Sequence, residues 1–162
     1  MESNCKKTNT NIYFACRKKA AAYNQRLESR ENAADLLGIA PSTLANHELG
    51  ITKNVPVDTV VMMSDLYNAP ELKNYYCKNE CPIGRTLPIA TEHDTLQGIT
   101  IRLLNALDDD AIKSMKRELV SMASDGEITD DEKPRLKKAQ EALDALAVVI
   151  SELRMFGDRR KE

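Results

Sequence analysis

The chain reads as all-α, and three observations say so. Apolar residues recur at helical spacing from Ile12 to Leu153, with no convincing stretch of strand-like alternation. The punctuation is that of short helices: Pro41, Pro56 and Pro70 stand where helices begin, and Gly38 and Gly50 where helices end. Aromatic residues make up only 4% of the 162 residues, so Ala and aliphatic side chains must fill the core.

Taken in order, residues 1–10 read as a flexible polar tail. A first helix is expected over Ile12–Leu27, with Ile12, Cys16, Ala20 and Tyr23 on one face. Ser29 is a good N-cap for a second helix, which buries Ala33, Ala34, Leu36 and Leu37 and stops at Gly38. A third short helix starts at Pro41 or Ser42 with Leu44 inward and is stopped by Gly50. A fourth follows Pro56, with Val57, Val60, Val61 and Leu66 apolar, and a fifth runs from Pro70 toward Tyr76. Residues 11–77 thus form one domain.

Pro82, Gly84 and Pro88 break the pattern, which makes 78–93 a linker. Residues 94–157 form a helical hairpin, and 158–162 a charged tail. In its first arm Leu96, Ile99, Leu103 and Leu107 are followed, after Asp108–Asp110, by Ile112, Met115, Leu119 and Met122, as one kinked helix or two. Thr129 and Glu132 are spaced as a capping box at the head of the last helix. There Leu136, Ala139, Leu143, Leu146, Ile150 and Leu153 fall on a strict seven-residue repeat. Spacing at 3.5 rather than 3.6 marks a coiled-coil-like seam, so these six are the expected dimerisation residues, the alternative being an intramolecular hairpin in a monomer.

Composition excludes several classes. The longest apolar run, Ala145–Ile150, is far short of a membrane span, and the first residues are polar; a cytoplasmic protein with no membrane partner and reduced cysteines is expected. Net charge is −2, but residues 1–60 hold eight Lys/Arg against six Asp/Glu, while the remainder holds fifteen against nineteen. A mildly basic head on an acidic tail fits a phosphate-facing domain joined to one with another task. No glycine-rich phosphate loop, nucleophile elbow or H-E-x-x-H is present, so no enzyme and no cofactor is expected.

Ser29–Gly50 is the informative stretch. Ala34, four residues before Gly38, lets two helices approach closely. Gly38 makes the turn, Ile39 and Leu44 plug the angle, and Glu48 and Gly50 close the second helix. This pattern of Ala, then Leu-Gly-Ile, then Ser-Thr-Leu, then Glu-x-Gly resembles the lambda-repressor/Cro-like (XRE) helix-turn-helix family over residues 11–77. Ser29–Gly38, Leu66–Gly84 and the DGEITDDE segment at 125–132 resemble clostridial and phage-type members of that family with a C-terminal helical region. The resemblance implies a five-helix DNA-binding domain, double-stranded DNA as partner, a homodimer, and a transcriptional regulator, in the first instance a repressor. Carried over by position, Pro41, Ser42, Ala45 and Asn46 face the major groove, and Asn46 suits adenine. Arg30, Thr43 and Lys53 meet phosphates. This chain departs from the family in the longer segment Arg17–Ser29 and in His47, which stands where an apolar or aromatic residue is usual. The alternative reading is an antitoxin-like or adaptor module that binds protein and no operator.

The remaining motifs carry less. Cys77 and Cys81 are four apart, and with Cys5 and Cys16 they match the count of a thiolate zinc site, but there is no C-x-x-C pair; buried thiols without metal are expected. His47 flanks DNA or caps the core edge, and His93 is expected in solvent. Asp125–Glu132 recovers only part of a calcium loop, because Ser121 and Ala123 stand at two ligand positions.

Overall fold

The computed structural model describes residues 11–92, 94–124 and 126–159. Among these, every regular element is helical. The elements are α1 (Ile12–Ala20), α2 (Arg30–Leu37), α3 (Pro41–Glu48), α4 (Val57–Leu66), α5 (Glu71–Asn79), α6 (Leu96–Ala106), α7 (Asp109–Met122) and α8 (Lys133–Asp158), with 3₁₀ turns at Gln25–Leu27 and Gly84–Thr86. The chain divides into two compact units, residues 1–85 with 159–162, and residues 86–158. The division falls inside the expected linker; residues 78–85 fold with the first unit.

The first unit is built by its caps. Asn11 caps α1, its side-chain oxygen accepting from the Tyr13 amide at 2.9 Å while its Nδ2 donates to the His47 carbonyl at 3.0 Å. Ser29 caps α2 by accepting from the Asn32 amide. Gly38 ends α2 in the left-handed region at φ 65°, with the Ile39 amide reaching the Ala34 carbonyl and the Gly38 amide that of Asp35. The same closure recurs at Gly50 (φ 69°), where Ile51 reaches Asn46, and at Asn68 (φ 51°), where Ala69 reaches Ser64. These are helix stops that only a residue tolerant of positive φ makes cheaply.

Around these turns the core closes on Tyr13, Cys16, Leu27, Ala33, Ala34, Leu37, Leu44, Val60, Met63, Tyr67 and Leu72. Full burial of Leu27, Leu44 and Leu72 contributes roughly 1.5–3 kcal/mol each. Three sequence expectations need correction here. The first helix stops at Ala20, and a 3₁₀ turn carries the chain to Leu27. Tyr23 lies beyond that stop and is 60% exposed, and Tyr13 takes the buried aromatic place. In α4, Val57 and Val61 face outward and Val60 and Met63 point in. The apolar density of VDTVVMM hid which stripe was inward.

The Tyr75–Gly84 segment locks the unit. Glu80 accepts from the Tyr13 hydroxyl at 2.6 Å and from the Val55 amide at 2.8 Å, tying it to α1 and to the approach to α4. The Tyr13 and Tyr75 rings meet edge to face with centroids 6.1 Å apart. Gly84 is buried, and a Cβ there would lie 2.1 Å from the Cys77 carbonyl oxygen.

In the second unit α6 and α7 are separate helices. Asp108 stops the one and caps the other, accepting from the Ala111 amide at 2.9 Å, with Asp109 and Asp110 in the first turn where the helix dipole favours them. Both helices pack on α8. Arg102 of α6 bridges Asp94 (2.8 Å) and Glu152 of α8 (2.5 Å), and the Ala90 amide donates to Ser151. The Glu132 carboxylate accepts from the Thr129 amide at 3.0 Å, which is the expected half of the capping box. No helix among the described residues is long and apolar enough to cross a membrane.

Candidate nucleic-acid interface

α3 is eight residues long and two-faced. Leu44, His47 and Glu48, spaced three and one, are buried. Pro41, Ser42, Ala45 and Asn46 share the opposite face; Pro41, Ser42 and Asn46 are exposed and Ala45 is half-buried. The side chains of Ser42 and Asn46 form no hydrogen bond among the described residues, so their donors and acceptors are open to a ligand. Burial on one face and open polar groups on the other is what a helix meeting base edges requires.

Glu48 holds this helix in place. Its carboxylate takes Arg17 Nε at 2.5 Å and Nη2 at 3.0 Å, and Arg30 Nε at 2.8 Å. Arg17 is itself fully enclosed. Its Nη1 donates to the carbonyls of Leu27 (2.7 Å) and Glu28 (3.0 Å), and its guanidinium lies 5.5 Å from the centre of the Phe14 ring. The Glu48 carboxylate raises the Arg17 pKa, chiefly through their hydrogen bond and against the cost of burial, so the guanidinium keeps its charge. Two guanidiniums around one carboxylate leave one net positive charge. Arg30 is the partner that reaches solvent, with a third of its side chain exposed.

Arg30 therefore stands at the head of α2, fixed through Nε, while its terminal amino groups have no acceptor among the described residues. Lys53 is exposed in the loop after α3 and makes no ion pair there, and Thr43 is half-buried in the first turn of α3. Arg30 and Lys53 flank α3 in sequence, one on each side, and Thr43 lies within its first turn. Arg17, counted with the basic head by composition, is corrected by its burial: it serves the fold. A signal was available, since Tyr13, Cys16, Arg17 and Ala20 recur at i, i+3, i+4 and i+7, the spacing of an inward stripe.

His47 caps the core edge. It is buried, its Nδ1 lies 3.0 Å from the Thr52 hydroxyl, and its Nε2 has no hydrogen-bond partner. Burial lowers its pKa, opposed only by the charge of Glu80, so the ring is neutral near neutral pH. His93 and Cys5 lie outside the described residues, as do the tail at 1–10 and most of that at 158–162.

Cys77 lies in the last turn of α5 and Cys81 beyond it; both are free thiols and, against the expectation of burial, only half-buried, whereas Cys16 is buried and its pKa is pushed up to about 12 by that burial. No three His, Cys, Asp or Glu side chains gather to hold a metal among the described residues. Asp125 is not among them.

The expected seam on α8 is divided. Ala139 is buried and Leu136 and Leu146 are half-buried, while Leu143, Ile150 and Leu153 are 44%, 40% and 38% exposed. Val149 and Met155, which the heptad pattern omits, are buried, and α8 also receives α6 and α7 within its own unit.

Comparison with protein-family models, with curated proteins and with solved structures finds no match for this chain.

Proposed function

We propose that this protein is a sequence-specific DNA-binding regulator of transcription, related to the lambda-repressor/Cro-like helix-turn-helix proteins. In this reading it acts as a dimer and, most simply, as a repressor that occludes its promoter. The observation that carries the reading is α3 itself. A short helix is anchored from behind by Leu44 and the Glu48–arginine cluster, and presents Ser42 and Asn46 unbonded on its outer face.

In the mechanism that follows, α3 enters the major groove and Asn46 pairs its amide with adenine N6 and N7, worth roughly 1–3 kcal/mol of discrimination. Ser42 takes a second base edge, while Pro41 and Ala45 supply apolar contact. Arg30, Thr43 and Lys53 meet phosphates and set register without reading sequence. Two copies bring two such helices to half-sites about one helical turn apart.

Titration of the folded protein against duplex DNA at several ionic strengths tests this. Arg30→Ala and Lys53→Ala should weaken binding to all sequences and each reduce the salt slope by about one. Asn46→Ala should weaken the preferred sequence and leave non-specific affinity unchanged. Affinity that responds to none of the three rejects the assignment of α3.

A second reading has one observation in its favour. Leu49, Ile51, Val57, Val61 and Met62 of the same unit are large, apolar and exposed, as on a protein-binding surface. An antitoxin-like or adaptor module would keep its partner, and its cellular effect, in the Arg30→Ala/Asn46→Ala double variant; a DNA-binding regulator would lose its effect.

A further inference from the structure

Within the second unit, a groove of about 390 Å³ lies open between α7 and the N-terminal half of α8, lined by Ile112, Met115, Ala139, Leu143 and Leu146. Glu118 of α7 and Lys138 of α8 line it too, and neither has an ion-pair partner among the described residues.

Two observations indicate what covers it. Ala139, Leu143 and Leu146 belong to the seven-residue stripe of α8, which continues past the groove as exposed Ile150 and Leu153. A stripe held at 3.5-residue spacing keeps facing another helix along its length, so the cover is helical. The charges then say which helix. Glu118 and Lys138 are opposite in sign and sit on separate helices of one surface. In a two-fold contact between identical chains, residue i of one meets residue j of the other, and j meets i. One unpaired acid and one unpaired base make this surface complementary to itself.

We infer that the groove is occupied by the α7–α8 pair of a second copy of this chain. The two pairs close into a four-helix arrangement in which Glu118 of each protomer meets the partner subunit's Lys138. This rests on the dimeric part of the proposed function and deepens it: the interface is a four-helix one, rather than a two-helix seam through Leu136–Leu153 alone.

Sedimentation equilibrium of the full chain tests the arrangement. Wild type should be dimeric. Ala142→Arg, at an exposed α8 position that lines the groove, should weaken the dimer at least about tenfold with helix content by circular dichroism unchanged. Glu118→Lys and Lys138→Glu should each weaken it about tenfold by placing like charges together, and the double reversal should return it to within about threefold of wild type. Should Ala142→Arg fail to fold, the reversal series decides alone.

A monomeric wild type overturns the inference, as does a dimer indifferent to these changes or a double reversal no better than the singles. A monomer whose groove carries a co-purified apolar molecule by native mass spectrometry does the same. Duplex binding by the same samples separates this inference from the reading beneath it. A groove-dependent dimer without DNA affinity overturns the regulator and keeps the interface, and a DNA-binding monomer does the reverse.

Discussion

Glu48 closes α3 with both carboxylate oxygens bonded to guanidinium groups, and its neighbour His47 is buried beside it. Glu48→Gln removes the charge that compensates buried Arg17 and should cost about 3–5 kcal/mol in urea unfolding, far more than a surface pair. His47 makes a different prediction. Burial holds its pKa below the ordinary 6.5. Above that value both folded and unfolded chains are neutral at this residue. Below it the unfolded chain takes up a proton that the folded chain resists, so stability falls with falling pH until the folded value is passed. The urea midpoint should therefore drop between about pH 7 and pH 5, and His47→Gln should flatten that drop. At this scale the sequence was only partly legible. Asn46 and Ser42 were expected outward and are. The partners of Glu48 were hidden, because Arg17 lies thirty-one positions away and an arginine on an inward stripe looks like any other positive charge.

The elements are where the sequence was most readable, since their ends are set by chemistry that works over a few residues. Ser29, Gly38, Gly50 and the Thr129–Glu132 pair all stand at the helix ends expected of them, and Asp108 decides for two helices where the sequence left one kinked helix or two. Helix faces were harder to read where apolar residues are dense, as in α4, or where a helix stops without glycine or proline, as α1 does at Ala20. The contrast between two glycines checks this account. Gly38→Ala meets no atom within 4 Å and should cost only the strain of positive φ, roughly 1–2 kcal/mol. Gly84→Ala drives a Cβ into the Cys77 carbonyl, where backbone must move, and should cost clearly more by thermal unfolding. Equal costs would mean that the Cys77–Gly84 turn is looser than described.

At the scale of the molecule, the chain forms two units: one presents α3, and the other carries an α8 on which Leu143, Ile150 and Leu153 stay exposed. The heptad repeat of α8 was legible, but it was blind to α6 and α7, which also pack on this helix, and it missed buried Val149 and Met155. Periodicity reports that a face is apolar without naming its neighbour. Separate units also predict separable defects. Asn46→Ala should leave the dimer intact and lose sequence preference, whereas Ala142→Arg should keep half-site contacts and lose cooperative binding to a paired site; footprinting on one-half and two-half sites distinguishes them.

The central claim is that α3 reads DNA. Selection of binding sites from a random duplex pool, using the folded full chain at about physiological ionic strength where non-specific phosphate binding is suppressed, tests it most directly. The account predicts enrichment of an inverted repeat with an adenine in each half-site, lost when the same selection is run with Asn46→Ala. A folded wild-type protein that enriches no sequence would contradict it.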